Sequence, residues 1–263
     1  MDILRRSASP VTSEAWEELD GHAKRILAAN LSARKFVDVA GPKGRSYGAH
    51  PTGRLDIERE HSESGVRYGV NRVLPLVEAR QAFDLDIREL DNISRGAKDP
   101  DLSNLEIAAK KMARFEDSAI YKGLAGAGIE GLASAAGDSV VKLEGYGAGE
   151  IVEGVSAALF KLREKSVEGP YALVASPGLW KAVYGEASCY PTSKHLSGLV
   201  EKVILSSQDE SYVVSLRGGD FELVLGQDFS LGFQERREEK VTLFFTESFT
   251  FRVINPEAVV AVY

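Results

Sequence analysis

Residues that could do chemistry are thinly spread along this chain. Gly126-Ala127-Gly128-Ile129-Glu130-Gly131 has the spacing of a dinucleotide fingerprint, in which glycines let backbone amides and a helix N-terminus meet a pyrophosphate. That chemistry needs a strand before the glycines and a helix after them. Here the strongest helical pattern of the chain precedes them, and Glu150, near the spacing of a ribose-binding carboxylate, follows irregular sequence. No nucleotide site is expected. Cys189 and His195 are a nucleophile and a base close in sequence, a pair that in the right geometry attacks carbonyls. Their spacing alone defines no geometry, and Cys189 reads as a loop thiol. His22, His50, His61 and His195 are scattered without metal-ligand spacing, and no serine sits in a G-x-S-x-G elbow. The acidic pairs Asp84/Asp86 and Glu238/Glu239 read as solvated or ion-paired. The chain is expected not to be an enzyme and to hold no metal and no cofactor.

The elements that would position any site are clearer. Thr12 or Ser13 is placed to cap a helix whose Trp16, Leu19, Ala23, Ile26, Leu27 and Leu31 recur at three and four, ending by Leu31 or Arg34. Gly41 to Gly44 then breaks the chain. Leu55 and Ile57, and then Val66, Tyr68 and Val70, predict two strands closed by a turn at Ser62 to Gly65. Such a hairpin carries too little apolar surface to stand alone. It either lies on its own domain or reaches a neighbouring subunit, and the residues leave both open. A strand is expected from Leu74 to Ile87 and a connection from Asp91 to Asp101. A long helix follows, with Ser103-x-x-Glu106 as a capping box and a core stripe through Leu105, Ala109, Met112, Phe115 and Ala119.

Gly123 to Gly149 reads as loop. A short helix through Ile151 to Leu162, a strand Tyr171 to Ala175, a helix from Pro177, helical turns from His195, and strands Val203 to Leu205 and Tyr212 to Leu216 complete the middle of the chain. Two alternating runs, Phe221 to Leu225 and Phe229 to Phe233, are separated by Gly226-Gln227-Asp228. A long strand then runs from Val241 to Ile254, with Val241, Leu243, Phe245, Phe249, Phe251 and Val253 on one face and Glu247 the exception among them. The chain has 263 residues, 44% of them hydrophobic, enough for a substantial core. Its net charge of −7 argues against a nucleic-acid partner. One cysteine excludes an intrachain disulfide. With no apolar signal-like region at the N-terminus and no run long enough to span a bilayer, the expectation is a cytoplasmic protein without a membrane partner.

Several motifs are more specific than their physics. RGGDFELVLGQDFSLGF (217–233) and ESFTFRVINPEA (247–258) resemble the C-terminal part of the family 1 encapsulins, bacterial shell proteins of the linocin/bacteriocin type. The resemblance continues through LRRSASP (4–10), ARKFVDVAGPKG (33–44), ELDNISRG (89–96), FED (115–117), GIEGL (128–132) and EGPYALV (168–174). It implies an α+β, HK97-like capsid fold. The implied segments are an N-terminal helix arm (1–44), an extended E-loop (45–73), a peripheral domain (74–131 and 217–263) and an axial domain (132–216). For the hairpin it favours the reach to a neighbour.

The function implied is a self-assembling icosahedral shell, a multiple of sixty copies. It would enclose a dye-decolourising peroxidase or ferritin-like iron oxidase recruited by a C-terminal targeting peptide. A phage major capsid protein or a secreted bacteriocin or protease are the competing readings. The resemblance places a cargo-peptide groove between the N-terminal helix and the strand after Gly226-Gln227-Asp228. Ile26, Leu27, Leu31, Phe229, Leu231 and Phe233 would be its apolar walls, and Arg34, Asp38 and Asp228 would fix the peptide register. A five-fold pore loop is implied at Gly185, Glu186, Ala187, Ser188, Cys189 and Tyr190. Some encapsulins stack a flavin on a tryptophan; here Arg88 stands at that position, so no flavin is expected.

Overall fold

The structure is a computed structural model that describes residues 3–57, 64–185 and 191–263. Helix α1 spans Ser13–Asn30, and the Thr12 hydroxyl accepts from the Ala15 N–H at its start. Ala15, Trp16, Leu19, Ala23 and Leu27 are buried, as the three-and-four spacing requires. Short strand β1 (Asp38–Ala40) follows, then the hairpin β2 (Ala49–Ile57) and β3 (Gly69–Pro75), β4 (Val77–Asp86), α2 (Ile87–Ser94) and α3 (Ser103–Tyr121). Helix α2 lies where a strand end and a connection were expected. Asp86 caps it through the Arg88 N–H, and Leu90 and Ile93 bury one turn apart. The cap of α3 also differs from the expected box: Leu102 stands at the N-cap, and Asp101 Oδ1 accepts from the Ser103 N–H. Phe115 is not core as expected. It is 37% exposed and meets Phe249 edge-on.

The 123–149 stretch holds more structure than its small residues suggest: α4 (Leu132–Ala136), β5 (Val140–Val141) and the start of α5 (Ala148–Glu164). In the fingerprint-like run, Gly128 takes a left-handed φ of 68° and Gly131 serves packing. A Cβ on Gly131 would lie 2.3 Å from the Gly123 nitrogen. The remaining elements are β6 (Tyr171–Ala175), α6 (Pro177–Gly185), α7 (Thr192–Leu196), β7 (Lys202–Leu205), β8 (Ser211–Ser215), β9 (Phe221–Arg237), β10 (Lys240–Val253) and β11 (Val259–Val262).

These strands make two larger sheets, ordered β1-β9-β10-β4 and β5-β11-β8-β6-β7, beside the two-stranded hairpin. β11 lies in the five-stranded sheet, so the chain crosses from one sheet to the other within 217–263. The two runs expected on either side of Gly226 form one strand. Its pairing with β10 slips at Thr246/Ser248 and Ser248/Phe249, where the Gln227 N–H donates to Ser248 Oγ. Gly226 makes that possible, since a Cβ there would lie 2.5 Å from Ser248 Oγ. Phe249 and Phe251 enter the core shared with the five-stranded sheet; Val241, Leu243, Phe245 and Leu231 enter the core under α1 and α3.

The hairpin contributes to neither core. Leu55, Ile57, Val70 and Val73 are each at least 50% exposed. Among the described residues, no helix is long and apolar enough to cross a membrane.

Candidate peptide-binding groove

The C-terminal half of α1 and the second half of β9 run beside each other and leave a groove of about 770 Å³. Leu27 and Leu31 face it from the helix side, and Phe229 and Leu231 from the strand, with Arg34 and Asp228 at one end. These six of the anticipated residues come together. Ile26 and Phe233 pack partly buried against the same core but do not line the groove. Asp38 is elsewhere: it sits on β1, and its carboxylate accepts the Gly219 N–H. Leu31 and Leu231 are 6% and 1% exposed, so their side chains already belong to the fold's core.

Other groove residues lie off the apolar stripe and were not anticipated. Ala28 and Lys24 are exposed on α1, and Leu4, Arg6, Ser230 and Lys35 complete the walls. Ala28 adjoins Leu27 and sits four residues after Lys24, so the small residue next to the stripe was the available signal.

Arg34 is not free to hold a ligand by itself. Its Nε donates to both oxygens of Glu116, at 2.9 and 3.0 Å, its Nη1 to Asp228 at 2.9 Å and its Nη2 to Glu247 at 2.6 Å. The guanidinium also lies 4.9 Å from the Phe229 ring centre. Glu116 and Glu247 are fully buried, so this arginine is, among the described residues, the one cation bonded to a buried acidic pair. Burial works against the charge on Arg34, but Glu116, Glu247 and Asp228 outweigh it and hold its pKa above the ordinary value. Glu247 is pushed well above the usual carboxylate range, first by burial and then by the field of Glu116. Among the described residues, its Oε2 is buried with no hydrogen-bond partner. Next along α3, Asp117 is raised to about 6 by burial, against the pull of the Ser32 and Ala33 donors it accepts from. The exception noted on the β10 face, Glu247, is thus the strand's contribution to this cluster.

The result is an apolar trough with a fixed charged end and exposed lysines at its rim, a geometry suited to an extended peptide. Among the described residues, no group of three or more His, Cys, Asp and Glu is placed to hold a metal ion. Arg88 is exposed and pairs with Glu239 at 2.8 Å. Of the anticipated pore loop, Gly185 ends α6, while Glu186, Ala187, Ser188, Cys189 and Tyr190 lie outside the described residues.

Comparison with known proteins agrees with this architecture. Residues 1–250 match the family model described as "Encapsulating protein for peroxidase". The type 1 encapsulin shell protein of Mycobacterium tuberculosis is 36% identical, over 99% of this chain and 99% of that one. Its counterpart in Rhodospirillum rubrum is 35% identical, over 99% and 96%. Among solved structures, a virus-like particle from Pyrococcus furiosus superposes with a TM-score of 0.67 at 20% identity, covering 94% of this chain and 99% of that one. Mycobacterium phage Cain gives a TM-score of 0.59 at 15% identity, covering 89% and 90%. The mixed α+β architecture is the HK97-like capsid fold, and the chain belongs to the type 1 encapsulin shell protein family.

Proposed function

We propose that this chain assembles into a closed icosahedral shell in the cytoplasm. The shell encloses a peroxidase or ferritin-like iron oxidase whose C-terminal peptide lies in the groove between α1 and β9. Family membership supports the shell. The observation that carries the recruitment reading is the groove itself, an apolar trough bordered by the part of the β9 edge that, among the described residues, no strand covers. Burying a small aliphatic side chain there contributes roughly 1.5–3 kcal/mol before ordering costs. Single-site affinity is therefore modest, and many identical sites in one shell compensate for a multimeric cargo.

Assembly runs through the hairpin. A two-stranded element with exposed Leu55, Ile57, Val70 and Val73 gains little by folding alone and much by lying on another copy. Deleting 47–73 should leave a folded subunit that no longer gives closed particles by electron microscopy and sizing. Uniform particles from the deletion would refute assembly through the hairpin.

A further inference from the structure

Among the described residues, no strand lies beside the outer edge of β9 from Asp228 to Phe233, because β1 pairs with Glu222, Leu223 and Val224. Leu231, in the middle of that edge, is nevertheless only 1% exposed. Residues two apart in a strand direct their main-chain groups to the same side, so Leu231 and Phe233 share this edge. The N-terminal segment meets both. The Phe233 N–H donates to the Leu4 carbonyl at 2.7 Å, and Arg6 Nε donates to the Leu231 carbonyl at 2.9 Å. Arg6 is fixed in turn by two bonds to Asp20 on α1, each 2.7 Å, and lies 4.4 Å from the Trp16 ring centre. One side chain therefore ties both walls of the groove together.

The segment is lightly held. None of Arg6, Ser7 and Ala8 is buried, and the Arg6–Asp20 pair is exposed enough for solvent to screen it. It stays through these polar bonds, one stacked guanidinium, the Trp16 Nε1–H donating to Ser9 Oγ at 3.2 Å, and Leu4, its one half-buried apolar side chain in the groove wall. An extended peptide could make the same main-chain bonds and also place side chains in the trough, so it competes on better terms.

We propose that residues 3–9 form a displaceable strap over the β9 edge with Arg6 as its latch, so that a bound peptide adds to β9 as a strand only once the strap has moved. This rests on reading the groove as a peptide site. It also narrows the partner. The bound segment must be extended and must present free main-chain groups to Leu231 and Phe233, which excludes proline at a position that donates to the edge. A closed strap lowers the apparent affinity by the fraction of chains in which it is open.

Two measurements test this. First, a labelled synthetic peptide of Ile3–Pro10 is titrated by fluorescence anisotropy onto chain lacking residues 2–9. Saturable binding is expected, lost when the peptide carries Arg6→Ala and at least about tenfold weaker on full-length chain with its own strap in place. No binding to the shortened chain overturns the strap. Second, a fluorescent protein carrying a small, apolar Gly/Leu-containing tail is co-expressed at limiting level with wild type, Arg6→Ala and Asp20→Asn. Both latch variants should load more of it, and equal or lower loading by both overturns the latch. If the tail loads onto none of the three while the peptide binds the shortened chain, the cargo reading fails and the strap stands.

Discussion

The two halves of β9 are one strand with opposite surroundings. In the first half β1 covers the outer edge at Glu222 to Val224, and Phe221, Leu223 and Leu225 enter the core shared with the five-stranded sheet. From Asp228 to Phe233 the inner edge still pairs with β10, but the outer edge is left to a loosely held segment and an open trough. The register slip opposite Ser248 divides the halves, and Arg34 sits at the division, joining Asp228 on β9 to Glu247 on β10 and Glu116 on α3. A structural half and an available half can thus share one strand when a bulge and a charged hub separate them. The groove inherits the rigidity of the sheet while keeping one wall free.

Breaking the hub should have the largest effect on the fold. Arg34→Ala strips the buried Glu116–Glu247 pair of the cation and the donors that hold it, and should cost about 3–5 kcal/mol of stability. A denaturation midpoint equal to wild type would mean that the hub holds nothing together.

A smaller effect, with a distinct pH signature, separates the proton from the charge. Glu247 has a higher pKa folded than its ordinary value of 4.5, so it favours the folded chain while protonated. That contribution is fully present below 4.5 and is lost as pH rises toward the folded value. Asp117, raised from 3.8 to about 6, loses its own contribution over that window in any variant that retains it. Glu247→Gln removes one titration and keeps an acceptor for Arg34. Its melting temperature relative to wild type should therefore rise as pH increases from 4.5 to 8, and a constant difference would contradict the assignment.

Much of this architecture is written locally. The Thr12 cap, the α1 stripe and the alternation along β9 and β10 depend on neighbours a few residues apart, and pattern alone reveals them. The hub does not. Arg34 meets Glu116, Asp228 and Glu247 across 82, 194 and 213 residues of sequence, so only an acidic exception on an apolar face hinted at it. The resemblance alone places Asp38 with Arg34, but β1 directs it to the Gly218-Gly219 turn instead. Ala28 escaped for the opposite reason: a small, exposed residue gives no hydrophobic signal, yet it leaves the space a ligand needs. The break expected at Gly226 was a bulge, since a glycine that interrupts alternation marks a slip in register as readily as a strand end.

Ala28 also gives the most direct test of the central claim, that the open half of β9 and α1 form a peptide site on a shell. Leu231 would be a poor probe, because its side chain is core and its loss would disturb the fold. Ala28→Arg keeps a strong helix former, places a cation in the favourable last turn of α1 and fills the trough. Purified shells are compared with wild type by electron microscopy and by co-purifying fluorescence of a tail-bearing fluorescent protein. The account predicts intact particles of unchanged size and stability with the fluorescence lost; intact particles that load the tail as well as wild type would contradict it.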